Sequence, residues 1–165
     1  MRSSPPRPAR RKVRSLAALA GIVRRAKLRN RIVVVANGCF DLLHAGHVSL
    51  LERARRQGDL LIVAINSDRS VRALKGPHRP VVTARDRAVV LASLESVDYV
   101  TVFNELTPQR VIARLRPHVL VKGADWSAGR VVGRDIVERG GGKLVRVPLL
   151  AGRSTSRLMQ RLRSL

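Results

Sequence analysis

Five short runs dominated by Val, Ile and Leu set the tightest limit on what this chain can fold into: 31–37 (RIVVVAN), 59–66 (DLLIVAIN), 98–103 (DYVTVF), 118–123 (HVLVKG) and 143–148 (KLVRVP). A strand with one wet face alternates polar and apolar residues, so runs that stay apolar must be covered on both faces. Helical signals lie between them. The segment 47–58 ends on Gly58, 83–94 opens on Thr83 as an N-cap, and Thr107 with Pro108 opens a further helix at its N-cap and N1 positions. The segments 133–141 and 154–165 supply two more helices. Strands and helices alternating in this way predict a parallel sheet with helices on both faces, a doubly wound α/β arrangement in a single domain. In such sheets ligands bind beyond the carboxyl ends of the strands, where the strand order reverses.

Composition narrows the class. Hydrophobic residues make up 45% of the 165, a globular value, and with only 2% aromatic residues the core must be built from Val, Leu, Ile and Ala. Cys39 is the sole cysteine, so no internal disulfide forms and a reducing compartment, the cytoplasm, is expected. No apolar run reaches the roughly 18 residues of a membrane span. The basic N-terminus lacks the apolar stretch of a signal peptide. Residues 1–14, rich in Pro, Arg and Ser, read as a basic disordered tail ahead of a domain over 15–165. Within that domain, Leu16, Leu19, Val23 and Ala26 recur at helical spacing after Ser15.

The net charge is +22, and residues 1–31 carry 11 of the 33 basic residues and no acid. Such a field attracts nucleic acid, phosphate metabolites and anionic lipid alike. Arginine is spread over every segment, so the excess reads first as an arginine-rich version of an ordinary enzyme. Charge by itself selects no function.

The stretch Asn37-Gly38-Cys39-Phe40-Asp41-Leu42-Leu43-His44-Ala45-Gly46-His47 leaves the first apolar run and enters a helix. His44 and His47, at i and i+3, face the same way at that helix's first turn. Gly46 lets a ligand approach the backbone, and free N–H groups at a helix start attract phosphate. Imidazoles placed there can donate hydrogen bonds to a phosphoryl group. Taken alone, such a pair serves equally as cap, packing or metal ligand. A zinc site fits poorly, because there is one thiol and no pattern that completes a tetrahedron.

His-x-x-His in this setting resembles the HxGH signature of the cytidylyltransferase-like nucleotidyltransferases, whose fold is Rossmann-like. "GDLLIVAINSD", "LKGPHRPV", "RDRAVVLASLESVDYV", "TPQRVIARLRPHVLVKGADW" and "GRSTS" follow in order over residues 15–162 and resemble the D-glycero-β-D-manno-heptose 1-phosphate adenylyltransferases, in their free-standing form without a kinase half. The resemblance implies transfer of adenylyl from ATP, with Mg²⁺, to a sugar 1-phosphate, giving ADP-heptose and pyrophosphate. It implies His44, His47 and Lys75 as catalytic residues, with Lys75 on a polar loop. Nucleotide binding would fall to Asn37, Gly38, Phe40, Gly46, Arg87, Lys122, Gly123, Asp125, Ser154, Thr155 and Ser156. Asp41 and Arg79 would contact substrate, Asp41 by positioning it or by reaching Mg²⁺ through water. No protein-held metal site is expected. Related enzymes are often dimeric, so a homodimer is the expected assembly.

One physical expectation is independent of the family. If the strands ending at Asn37-Gly38 and at Lys122-Gly123 are neighbours across the switch point, both motifs border one crevice. Trp126 beside them either stacks or packs. Two further features carry less. "GGGK" (140–143) follows a helix and precedes a strand, so it is a turn and not a phosphate loop. Cys39 reads as a small buried residue. The other readings are a glycerol-3-phosphate cytidylyltransferase-like enzyme and a nucleic-acid binder on an inactive version of the fold. The acid-free 1–31 segment motivates the second; the intact histidine pair and the scarcity of aromatic stacking residues stand against it.

Overall fold

The computed structural model describes residues 8–148, 150, 152 and 155–163. Five strands, β1 (Val33–Gly38), β2 (Leu60–Asn66), β3 (Tyr99–Phe103), β4 (Val119–Gly123) and β5 (Lys143–Val147), form one parallel sheet in the order β3-β2-β1-β4-β5. The chain steps outward from β1 to β3, then crosses back to lay β4 against the other side of β1, with Val35 opposite Leu120. The order therefore reverses between β1 and β4.

The strands are apolar throughout because each feeds two cores. Side chains of successive strand residues point to opposite faces. Val34, Ala36, Leu61, Val63, Ile65 and Val121 pack with Leu51 of α3 (Ala45–Arg55) and Leu91 of α5 (Ala84–Ala92). Val33, Val35, Ile62 and Leu120 pack with Leu19 and Val23 of α2 (Leu16–Leu28), Ile112 and Leu115 of α6 (Gln109–Leu115) and Val137 of α7 (Arg134–Arg139). The turn after α7 carries Gly141 at φ 77. Gly142 lies so close under β4 that a Cβ would sit 2.6 Å from the His118 carbonyl oxygen, which accounts for the glycine run with no ligand involved.

Several elements differ from expectation. Residues 8–14 are not a loose tail: α1 (Ala9–Lys12) lies against the domain, with Lys12 Nζ donating to the Leu94 and Val97 carbonyls beyond α5 at 3.3 and 2.8 Å. Val13 forms a parallel bridge to Val100 at the start of the edge strand β3. Residues 1–7 lie outside the described residues. A short polar helix, α4 (Asp68–Lys75), follows β2; it buries only Ser70 and Val71 and is started by Ser67, whose hydroxyl accepts from the Ser70 N–H. The helix after β3 begins one residue late, with Pro108 itself at the cap position and no side-chain cap bond. The last helix, α8, spans Thr155–Arg163. Among the described residues no helix is long and apolar enough to cross a membrane.

Candidate active site

The loop leaving β1 folds back on itself. Phe40 has φ 47, a left-handed conformation that a bulky side chain rarely adopts, and it is buried. Its ring reaches over Gly38, where a Cβ would come within 3.0 Å of it. That ring then meets His47 at a centroid distance of 5.1 Å. Backbone strain next to a ligand crevice is a recurring mark of functional sites.

Helix α3 starts two residues earlier than the sequence pattern predicts because His44 is its N-cap. His44 Nδ1 accepts the Gly46 N–H at 3.1 Å. A ring nitrogen that accepts cannot carry a proton, so the His44 proton is on Nε2. The His44 and His47 rings stack at 3.9 Å and 24°. Burial, and secondarily the charge of His44, push the His47 pKa down to about 4. Its Nδ1 is buried with no hydrogen-bond partner among the described residues. An uncharged His47 thus sits face to face with His44 where the helix begins.

Across the switch point, Lys122 of β4 donates to the Asn37 carbonyl of β1 at 3.1 Å. The two motifs do border one crevice, joined by a hydrogen bond. Burial lowers the Lys122 pKa, against the opposing pull of Asp125. Its ammonium also lies 4.9 Å from the centre of the half-exposed Trp126 ring, so that indole stacks on a cation. Asp125 is exposed beside it, and Gly123 ends the strand. Thr155 Oγ1 donates to the Leu42 carbonyl at 3.3 Å, which brings the start of α8 against the histidine loop. Ser154 and the Ser156 side chain lie outside the described residues. Lys75 is not on a loop but is the last residue of α4, exposed, with its charge felt at Cys39 and Lys122. Burial raises the Cys39 pKa, as befits an inert thiol.

Three expected ligand contacts turn out to be engaged elsewhere. Arg87 is 2% exposed; it donates from Nε to the Val82 carbonyl at 2.9 Å, to the Cys39 carbonyl, and to Asp68 Oδ1 at 2.8 Å. Its guanidinium points inward and stitches the histidine loop to α4. An arginine in a first helical turn faces the unfavourable end of the helix dipole, and the compensating acid is Asp68, not the adjacent Asp86. Asp41 is equally committed: Oδ2 takes Arg79, and Oδ1 accepts the Val81 and Val82 N–H groups at 2.8 and 3.0 Å. Asp41 and Arg79 together latch the 79–82 segment onto the histidine loop. Asp68 is the residue that sequence reasoning missed; its position in the first turn after the Ser67 cap was the available signal.

Among the described residues no group of three or more His, Cys, Asp or Glu side chains could hold a metal ion. Both Asp41 oxygens are engaged by Arg79, Val81 and Val82.

The family model described as cytidylyltransferase-like matches residues 35–138, more than half of the chain, from within β1 to within α7. The chain belongs to the cytidylyltransferase-like family. This family member is 49% identical over 153 residues to the bifunctional protein HldE of Geotalea uraniireducens, covering 93% of the chain and 31% of that protein. It is 55% identical over 132 residues to the bifunctional protein HldE of Gluconobacter oxydans, covering 80% and 28%. The chain therefore spans about a third of the length of these curated relatives. Two solved structures share the fold of the family member: the lipopolysaccharide core biosynthesis protein of Thermoplasma volcanium (TM-score 0.61, 23% identity, 73% of this chain and 97% of that one) and pantoate-beta-alanine ligase of Francisella tularensis (TM-score 0.60, 15% identity, 87% and 68%).

Proposed function

We propose that the chain transfers the adenylyl group of ATP to a sugar 1-phosphate, D-glycero-β-D-manno-heptose 1-phosphate, giving ADP-heptose and pyrophosphate. The observation that carries this reading is the stacked His44–His47 pair at the start of α3, on the carboxyl edge of the sheet at its switch point. The sugar phosphate's own oxygen attacks the α-phosphorus, a new P–O bond forms, and the bond from the α-phosphorus to the bridging oxygen breaks as pyrophosphate departs. That oxygen is ionised near neutral pH, so no general base is needed and the rate comes from positioning and charge stabilisation.

His44 donates from Nε2–H to a phosphate oxygen as charge builds. His47 is uncharged at neutral pH and donates in the same way without competing for a proton. Lys75 and Lys122 supply positive charge on the pyrophosphate side, with the start of α8 adding the hydroxyls of Ser154, Thr155 and Ser156. Asn37, Gly38, Phe40, Gly46, Gly123 and Asp125 shape the nucleotide's berth. Mg²⁺ enters as part of the ATP complex, held by phosphate oxygens and water, a common arrangement for this ion. The cytoplasm and a homodimer complete the reading.

The test is pyrophosphate release with ATP or CTP crossed with heptose 1-phosphate and glycerol 3-phosphate. Turnover is expected only with ATP and the heptose. Turnover confined to CTP and glycerol 3-phosphate would replace the proposal with the cytidylyltransferase-like alternative. His44→Ala and His47→Ala should each lower kcat by roughly 100-fold, the scale of losing one oxyanion-type donor.

A further inference from the structure

The amino edge of the sheet, opposite the histidine crevice, carries a second concavity of about 350 Å³ between α2 and α6. Its floor is apolar, from Val23 and Leu115, and its walls carry Arg24, Lys27, Arg114 and Arg116. No acidic residue lines it, and neither helix contains one. The six ion pairs among the described residues use Arg55, Arg79, Arg87, Arg110, Arg134 and Arg139, none of them in this groove. Four basic residues therefore line one concavity that has no acidic residue in its lining.

The cluster is also built, not merely crowded. Arg116 ends α6 in a left-handed conformation (φ 44), and Lys27 Nζ donates to its carbonyl, which ties the last turn of α2 to the last turn of α6. The groups feel one another: burial and then Arg116 lower the Lys27 pKa, and burial and then Lys27 lower that of His118 behind them. His118 is itself fixed, its Nδ1 accepting the Val33 N–H at 2.9 Å. Three arginines bordering one apolar-floored cavity offer side chains that can swing onto phosphate oxygens, which arginine binds two at a time.

We propose that this groove is a binding site, separate from the catalytic crevice, for a ligand that carries at least two clustered phosphoryl charges next to an apolar portion. The phosphates meet the arginine walls and the apolar portion covers Val23 and Leu115. The ligand is a soluble polyphosphate compound or the headgroup of an anionic lipid. The cavity is too small to seat a duplex. The proposal does not depend on the adenylyl-transfer reading.

The experiment is a residue-resolved amide NMR titration of the full chain with inorganic tripolyphosphate at 150 mM salt, where diffuse attraction is screened. Saturable shifts are expected at amides 24–28 and 114–118, resolved from any at the crevice (38–47). Arg24→Ser combined with Arg116→Asn, chosen because Asn tolerates the left-handed backbone, should weaken binding at those amides at least tenfold. Arg114→Ser alone is the second variant, should the first pair disturb folding. Co-sedimentation with phosphatidylglycerol-containing vesicles then separates the sources: loss of vesicle binding in the same variants assigns a lipid headgroup, and no vesicle binding assigns a soluble phosphate. Shifts that never saturate, that spread over the other basic faces, or that persist unchanged in folded variants overturn the site. So does binding of duplex DNA through these residues without any response to tripolyphosphate.

Discussion

Replacing Arg87 with Met separates two roles that the sequence could not. In the structure the guanidinium is 2% exposed and serves two backbone carbonyls and Asp68. Met fills much of the volume but leaves the Val82 and Cys39 carbonyls without their donor. Stranding a buried acceptor costs about 1–3 kcal/mol. Asp68 is less of a burden, since its side chain is 38% exposed and its Oδ1 keeps the Ala84 N–H at 2.7 Å. The expected loss is therefore near the lower end of what breaking a buried pair costs, about 3 kcal/mol. For a chain of this size, that lowers Tm by roughly 6–12 °C. Calorimetry gives the Tm, and steady-state kinetics give KM for ATP. A large drop in Tm, with a KM that stays within about threefold in the protein still folded, fits an arginine that holds the crevice from behind. An unchanged Tm with KM raised tenfold or more would mean that Arg87 touches the triphosphate, and would refute the reasoning.

Acid should weaken the fold through His47. Its folded pKa of about 4 lies below the unfolded value of 6.5, so the unfolded chain binds the proton first. The contribution is complete above pH 6.5 and is lost as pH falls toward 4, by at most about 3 kcal/mol and less after solvent screening of the partly exposed ring. Urea unfolding at pH 6.5 and 4.5 should show the loss, and His47→Phe should abolish this part of it. Asp41→Asn sets an amide against Arg79 and should lower both Tm and kcat, whereas a substrate contact would change KM at constant Tm. Gly133→Ala places a Cβ 2.4 Å from Ile112 Cδ1 at φ 87; a cost of about 2–3 kcal/mol in denaturant unfolding is expected, typical of overpacking with backbone strain.

What the sequence made legible follows from how local each signal is. Both faces of β1, β2 and β4 are buried, so their runs of Val, Ile and Leu announced a covered parallel sheet at a glance. The histidine pair lay on one continuous turn, so the i, i+3 spacing placed both on one side of it, whereas the stacking of the rings and the capping role of His44 were not written in that spacing. Lys122 and Asn37 were placed at a common crevice by topology alone. The failures are long-range or weakly patterned. Helix α4 is only eight residues long and buries two of them, one a serine, so its polar composition read as a loop despite its amphipathic spacing. Nothing near Arg87 in the sequence says that its partner is 19 positions upstream, and Asp41 holds a segment 38 positions on. A charged residue in a family motif reads the same whether it faces the ligand or braces the wall behind it. Lys12 was hidden in a tail whose composition argued for disorder, because its two carbonyl acceptors lie more than 80 residues on, in the turn beyond α5.

One ring at position 44 both begins a helix and presents an N–H. Selection for folding and selection for turnover act there on the same atoms, but they tolerate different replacements. Asn, Ser or Asp at this site would start α3 just as well and would leave the N–H with no successor. If His44 acts as proposed, drift at this single codon would leave a well-folded descendant whose crevice turns over about 100-fold more slowly, a step from an enzyme toward a sensor or a decoy.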